Sequence, residues 1–382
     1  MKTKFDFDTP VNRLHTDSLK WDKCPDCEVL PLWVADMDFR TAPAVIKAIE
    51  ERAKHGVFGY TKPGKAYYDA VNNWFTRRHG WTIPAEQILY TTGVVPAISA
   101  AIKGLTKPGD GVVVMTPVYN CFFSSIRNND CQIVESSLLM ENGLYRIDFA
   151  DLEEKLSSDS SKIMLLCNPH NPGGRVWTKD ELKKVNDLCV KHNVIVISDE
   201  IHCEMIMPGF KYTPFALVAT GEYVSMVSAS KTFNTAGLHI ANIVSPSAEL
   251  RAKIDRAINI NETCDVGPFG VVSTIAAYTE GEEWLEALID YIHENYRFVY
   301  AELNDFKGLK VMPLEGSYLA WVDVRSLEMK VEDLAGRLRE EAKVWFQAGT
   351  TYGKDGEGFI RINMATSRTI LAEALRRFKN WL

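Results

Sequence analysis

No stretch of the 382-residue chain approaches the roughly twenty consecutive apolar residues of a membrane-spanning helix. The opening Met1-Lys2-Thr3-Lys4-Phe5-Asp6 lacks the apolar core of a signal peptide, so a cytoplasmic location is expected. Positive charge is in deficit: 43 Lys and Arg stand against 50 Asp and Glu, a net charge of −7, which argues against nucleic acid or an anionic membrane as a main partner. Cysteine is present but unpatterned. The eight are scattered and most sit in apolar segments, as in a reduced cytosolic protein. Cys24-Pro25-Asp26-Cys27 is the one close pair, and with no second pair and no flanking strand–helix–strand pattern it reads as a surface turn. No metal site is expected. Repeats, low-complexity segments and a long disordered linker are also missing. What remains, 46% hydrophobic and 24% charged residues, suffices for a sizeable core in one large domain and a smaller one.

Short apolar runs recur at regular intervals. Ile88–Thr92, Val112–Met115, Ile163–Cys167, Val194–Ile197, Val224–Val227 and Ile240–Val244 read as strands, with helical stripes between them such as Tyr67, Ala70, Val71 and Trp74, or Leu182, Val185, Leu188 and Cys189. Pro43 opens a helix that Gly56 ends; Pro96 fits the first turn of another, which Gly104 and Pro108 close. Continuous apolar runs alternating with helices predict a largely parallel sheet covered on both faces. In such sheets ligands bind at the carboxyl ends of the strands, and Gly93, Tyr119, Asn171, Asp199 and Lys231 all fall at or just after strand ends. Beyond Gly281 the pattern changes to long helices and a few alternating strands, including Tyr318–Val324 and Phe359–Asn363. The expected division is an N-terminal arm with part of the small domain over 1–42, a large domain over 43–280 and a small α+β domain over 281–382. The aromatic run Leu30–Phe39 is too apolar for a linker and is expected to pack against a cleft or a partner subunit.

The chemistry centres on Ser228-Ala229-Ser230-Lys231-Thr232-Phe233-Asn234. Most lysines after a strand are solvated loop residues. Here two hydroxyls precede one that stands at the edge of a core, where desolvation lowers an ammonium toward a usable nucleophile or base. A lysine able to form an imine beside hydroxyls that can bind phosphate points to pyridoxal phosphate. That cofactor needs an acid at its pyridine nitrogen. Asp199, closing an apolar strand 32 residues earlier, suits this as well as it suits capping a turn, and the position of Lys231 favours the cofactor. Asn171 in the Asn168–Pro172 turn is a candidate donor to the cofactor's phenolic oxygen, although Asn-Pro makes turns regardless. Tyr119 is a candidate ring-stacking aromatic, against plain core as the commoner reading. Gly93 with the Val94 and Val95 amides forms a weak phosphate-cradle signal. Arg361, between Ile360 and Ile362, offers a fork for an amino-acid carboxylate, its ordinary alternative being a solvated strand-face arginine. His202 is by default structural, and Tyr60 by default a surface tyrosine.

Asn168-Pro-His-Asn-Pro-Gly-Gly174, Ser198-Asp-Glu200 and Ser228-Ala-Ser-Lys231, in this order and spacing, resemble the fold type I aminotransferase superfamily of pyridoxal-phosphate enzymes. Pro31-Leu-Trp-Val-Ala-Asp-Met-Asp-Phe39, Ser198-Asp-Glu-Ile-His202, Ser230-Lys-Thr-Phe-Asn234 and Tyr318-Leu-Ala-Trp321 resemble its cystathionine β-lyase, or carbon–sulfur lyase, branch of the MalY/PatB type. The resemblance covers essentially the whole chain. It implies a mostly parallel seven-stranded sheet sandwiched by helices, with a smaller α+β domain. It also implies a catalytic trio of Lys231, Tyr119 and Asp199, with Lys231 as the Schiff-base lysine. Phosphate would be bound by Gly93, Val94, Val95, Ser228 and Ser230, with His202 lying beside the cofactor. Arg361, Asn171 and the backbone at Ala35 would hold the substrate. Tyr60 would reach the phosphate of a neighbouring subunit, implying a homodimer with shared sites. Many aminotransferases carry a phosphate-binding arginine eight residues after the lysine; here that position is His239, which favours the lyase branch. The function so implied is α,β-elimination from L-cystathionine, cysteine or S-substituted cysteines, in sulfur amino-acid metabolism such as methionine biosynthesis. An aminotransferase, and a lyase that also binds a transcription regulator, are the alternatives.

Overall fold

The computed structural model describes residues 4–382; Met1–Thr3, half of the opening hexapeptide, lie outside the described residues. The apolar runs become seven strands of one sheet: β1 (Ile88–Thr91), β2 (Gly111–Thr116), β3 (Gln132–Ser137), β4 (Ser161–Cys167), β5 (Ile195–Asp199), β6 (Tyr223–Val227) and β7 (Ala241–Val244). Their spatial order is β1-β7-β6-β5-β4-β2-β3. β3, β2, β4, β5 and β6 are parallel, as expected, while β7 runs antiparallel to both β6 and β1. The edge strand β3 was not foreseen from an apolar run, because Gln132, Glu135, Ser136 and Ser137 give it an edge strand's polar composition.

Burial on both faces explains the unbroken apolar runs. Val112, Val114, Ile163, Leu165 and Ile197 pack one face against the helix α1 (Val94–Leu105), through Ala97, Ile98, Ala101 and Ile102. Val113, Met115, Met164, Leu166 and Val196 pack the other face against Leu152, Leu182 and Val185. The C-terminal region forms a four-stranded antiparallel sheet of β8 (Lys310–Val311), β9 (Leu319–Asp323), β10 (Gln347–Ala348) and β11 (Phe359–Asn363), in the order β8-β9-β11-β10. Leu285, Leu288 and Ile292 of the helix Glu282–Leu303, with Leu371, Leu375 and Phe378 of the helix Arg368–Trp381, share its core. The N-terminal arm joins this part of the molecule, with Leu30–Pro31 pairing in parallel with Val344–Trp345.

Pro43 and Gly56 bound a helix as the sequence suggests; Pro43–His55 ends on Gly56 at φ +76°, the left-handed cap that glycine adopts without strain. Gly104 does not end its helix. It lies inside α1, where a Cβ would stand 2.8 Å from the carbonyl oxygen of Lys253 on the facing helix Ala248–Asn259. The residue is a close-approach glycine. Gly104→Val is expected to force these helices apart and lower stability by about 1–3 kcal/mol in urea unfolding; an unchanged midpoint would show that the helices yield freely.

Candidate active site

A cavity of about 890 Å³ opens at the carboxyl ends of the parallel strands, between the two sheets and the arm. The strand-end residues expected from the sequence converge on it: Gly93, Val94, Val95, Tyr119, Asn171, Asp199, His202, Ser230, Lys231 and Arg361 all line it, as does Ala35. Tyr60 does not. It is 99% exposed on a loop with Val57 and Phe58, outside the cavity of its own chain.

Lys231 follows β6, and its Nζ donates to the carbonyl oxygen of Ala35 at 2.6 Å. Burial lowers its pKa; Asp36 opposes this, the Arg361 charge adds to it, and Asp199 opposes it again. Asp199 closes β5. Burial pushes its carboxyl up from 3.8 to about 7, although the Ile201 N–H, donated to Oδ1 at 3.1 Å, and the Lys231 charge both favour the carboxylate. The capping role weighed against the cofactor role is thus partly present, as a turn rather than a helix cap. His202 is buried, edge-on to Tyr318 at 5.7 Å, and burial drops its pKa to about 3, so the ring is neutral at pH 7. Tyr119 stands at the residue before the helix Asn120–Arg127, and burial raises its phenol well above the ordinary value.

Arg361 is not a solvated strand-face residue. It is 4% exposed on β11, within reach of the seven-stranded sheet, and donates from Nη1 to Asn171 Oδ1 at 3.0 Å and from Nη2 to the Trp33 carbonyl at 2.9 Å. Because Arg361 takes Oδ1, the Asn171 amide presents Nδ2, its donor, to its other neighbours. The Arg361 Nε is buried without a partner, and the guanidinium lies 4.7 Å from the Tyr352 ring centroid. Ser228 departs from expectation: its hydroxyl donates to the Ile240 carbonyl at 2.8 Å and accepts the Ser230 N–H at 3.1 Å. That hydroxyl braces the loop and leaves the Ser230 hydroxyl at the cavity wall.

Several site residues escaped the sequence reading. Tyr318 donates to the Ala35 carbonyl at 3.1 Å, and Asn363 holds the Val34 and Asp36 carbonyls at 2.7 and 2.6 Å. Asn234 accepts from Met37 N and donates to the Met37 and Phe39 carbonyls. Behind the arm, Lys20 and Arg13 pair with Asp38 at 2.9 and 2.8 Å, and Arg13 also pairs with Asp36 at 2.6 Å. Burial opposes ionisation of Asp38, but Lys20 and the Trp21 N–H hold its pKa below the ordinary value. The only sequence signal for this network was the pair of acids inside the apolar run Leu30–Phe39.

The residues present fit a phosphorylated pyridine aldehyde. A desolvated amine, a buried carboxyl lacking a close cation, an oriented amide donor and a helix N-terminus at Gly93–Val95 meet in one cavity with an arginine fork that has an unused N–H. Residues 28–378 match the family model for class I and II aminotransferases. The chain belongs to that family. It is 42% identical over 381 residues to cystathionine β-lyase PatB of Bacillus subtilis, covering 98% of each chain. Cystalysin of Treponema denticola, whose structure contains pyridoxal 5′-phosphate, superposes with a TM-score of 0.95 at 36% identity over 98% of each chain. The pyridoxal-phosphate-bound C–S lyase of Staphylococcus hominis with L-cycloserine superposes with a TM-score of 0.93 at 31% identity, over 99% of this chain and 98% of that one. The family thus has the fold type I architecture described above, a mostly parallel sheet between helices with a smaller α+β part.

The raised pKa of Asp199 gives a stability signature in cofactor-free protein. The folded chain keeps a proton that the unfolded chain has lost, so the stability lost through this group begins above its ordinary value of 3.8 and is complete above about 7. Asp199→Asn removes the ionisation. Cofactor-free Asp199→Asn protein is therefore expected to gain on wild type as pH rises from 4 to 7, by on the order of a few kcal/mol. Parallel stability–pH curves from urea unfolding would contradict the buried, raised carboxyl.

Proposed function

We propose that this chain is a pyridoxal-phosphate-dependent carbon–sulfur β-lyase that cleaves L-cystathionine, or cysteine and its S-substituted forms, to a thiol, pyruvate and ammonia. The observation that carries the reading is Lys231, an amine with a lowered pKa in one cavity with Asp199 and Arg361. The full-length likeness to a cystathionine β-lyase and to C–S lyase structures supports the choice of reaction.

Pyridoxal phosphate, when bound, supplies a sink for the electron pair left on an amino acid that loses its α-proton. Lys231 would anchor it, Asp199 would face its pyridine nitrogen, Asn171 Nδ2 would donate to its phenolic oxygen, and Tyr119 would cover its ring. The Gly93, Val94 and Val95 amides and the Ser230 hydroxyl would take the phosphate, with Ser228 bracing Ser230 from behind. His202, held neutral, adds no charge that competes for the phosphate or the substrate. Arg361 and the arm backbone near Ala35 orient the substrate carboxylate, so that the α-hydrogen faces Lys231. The free Lys231 Nζ then accepts that proton as general base. The Cβ–S bond breaks with its electrons on sulfur, and water converts the remaining three-carbon fragment to pyruvate and ammonia.

We also propose a homodimer with shared sites. Tyr60 is wholly exposed beside Val57 and Phe58, 63% and 56% exposed, so a second copy could cover this patch and receive Tyr60 at its phosphate. Eight free cysteines suit a reducing cytoplasm, and a homocysteine product suits methionine synthesis.

The test is to incubate purified holoenzyme with L-cystathionine and assay pyruvate and free thiol together. Equal yields are expected, and Lys231→Ala is expected to lower the rate by about 10³-fold or more. Passage of amino groups to an added keto acid, with no pyruvate formed, would instead make the chain an aminotransferase. Sedimentation equilibrium is expected to give twice the mass of one chain; a monomer that is fully active would remove the shared site.

A further inference from the structure

We infer that the mouth of the cavity is a carboxylate subsite, in which Arg339 and Lys23 select S-substituted cysteines whose sulfur-side group ends in a carboxylate. The inference rests on the lyase reading and names the substrate class of that same site. Trp33 and Trp345 stack at the mouth, with centroids 4.6 Å apart and ring planes 12° from parallel. Lys23 Nζ lies 4.7 Å from the Trp33 centroid, and the Arg339 guanidinium carbon 5.2 Å from that of Trp345. All four residues line the cavity that holds Lys231 and Arg361.

The backbone sets this arrangement. Leu30–Pro31 pairs with Val344–Trp345, and Leu32 N donates to the Trp345 carbonyl at 2.9 Å, which brings Trp33 beside Trp345. Trp345 stands two residues before Gln347, the register partner of Arg361, about 7 Å along extended backbone. The outer cations and the arginine proposed to take the α-carboxylate thus line one cavity, joined through the Trp345–Gln347 segment. Arg339 belongs to the helix Val331–Glu340, whose Glu332, Gly336 and Arg339 face the cavity at helical spacing. A Cβ on Gly336 would meet nothing within 4 Å, so the helix leaves room for a ligand there.

Among the described residues these cations are weakly paired. Lys23 has no ion pair among the described residues, and Arg339 reaches only Glu340, at 3.9 Å. Glu332, the acidic residue of the mouth, already accepts from Thr350 Oγ1 at 3.0 Å. Contact with the indoles restricts two long, flexible side chains, so that the charged ends are presented rather than dispersed. The indole pair offers an apolar wall to a thioether chain, and the cations a partner to a carboxylate at its end. An S-alkyl cysteine gains from the wall alone.

The experiment compares holoenzyme kinetics on L-cystathionine, S-ethyl-L-cysteine and S-(2-aminoethyl)-L-cysteine. Arg339→Ala is expected to lower kcat/KM for L-cystathionine about 10–100-fold, mainly through KM, and to leave S-ethyl-L-cysteine within about twofold. Lys23→Ala, on the exposed arm, is expected to act in the same direction. Arg339→Glu should turn preference toward the aminoethyl compound. Calorimetric titration of L-cystathionine into Lys231→Ala, which turns over at least about 10³-fold more slowly, should weaken by the same factor when Arg339→Ala is added. A lyase whose Arg339 and Lys23 variants lose all three substrates equally, or none, overturns the subsite alone. Wild-type enzyme that forms no pyruvate from any of them overturns the lyase reading and the subsite with it.

Discussion

One carbonyl oxygen, that of Ala35, receives both Lys231 Nζ from the seven-stranded side and the Tyr318 hydroxyl from the four-stranded side. Around it, residues 33–39 are held as a strap. Arg361 and Asn363 grip the Trp33, Val34 and Asp36 carbonyls from β11, and Asn234 grips Met37 and Phe39 from the loop after Lys231. Buried backbone groups must find partners, and this strap finds most of them in side chains, with Asp38 N donating to the Ala365 carbonyl at 2.9 Å and Asp36 N to the Val34 carbonyl at 3.0 Å. The cavity therefore has three walls, each contributing at least one polar group to the others. Displacing the strap would leave the buried Asn363 and Arg361 donors without their acceptors, which is costlier than the loss of a solvated loop contact.

The strap is itself fixed by charge. Asp36 and Asp38 project toward Arg13 and Lys20, and the buried Lys20–Asp38 pair persists because Arg13 and the Trp21 N–H complete its hydrogen bonding. A buried pair of this kind is weak evidence for stability in general, but removing one partner would strand the other in a dry core. The consequence reaches the chemistry through two residues. Asp36 is the largest favourable charge felt by the Lys231 ammonium, and Ala35 is its hydrogen-bond acceptor. The arm thus moderates the very desolvation that makes Lys231 a usable base.

What could be read from the sequence follows the range of the forces involved. Strands buried on both faces appear as apolar runs, so β2, β4, β5 and β6 were visible, and a polar residue at the end of each run stood out against its neighbours. Asp199 and Lys231 were legible for that reason, since a charge at the edge of a dry core conflicts with its surroundings. Arg361 was visible as a candidate only, because its burial depends on Asn171 and Trp33, 190 and 328 residues away. Long separations also hid the strap and the indole stack between Trp33 and Trp345, whereas the Arg13 and Lys20 pairs, 25 and 18 residues from Asp38, follow no local period that a sequence displays. Gly104 was misread as a stop because a glycine near a helix end serves capping and close packing equally well, and only the facing Lys253 carbonyl decides between them. Ser228 looked like an anion donor because nothing local shows that the Ile240 carbonyl accepts its hydrogen bond.

The ionisation of the cavity lining also bears on which atom can leave. A departing oxygen requires a proton as the bond breaks, because an alkoxide is a strong base, whereas a thiol ionises at about 8.5 and sulfur can leave as the thiolate near neutral pH. Tyr119 is raised well above its ordinary value by burial and is correspondingly a poor acid. His202 sits near 3, so at pH 7 it is a neutral imidazole and not an imidazolium acid. Lys231, having just taken the α-proton, is then the amine best placed to return one. A site that desolvates its base, silences its buried histidine and holds its tyrosine protonated is matched to a leaving group that needs little acid assistance. That match accords with sulfur as the atom that leaves the β-carbon, and it follows from the same dry cavity that the strap encloses.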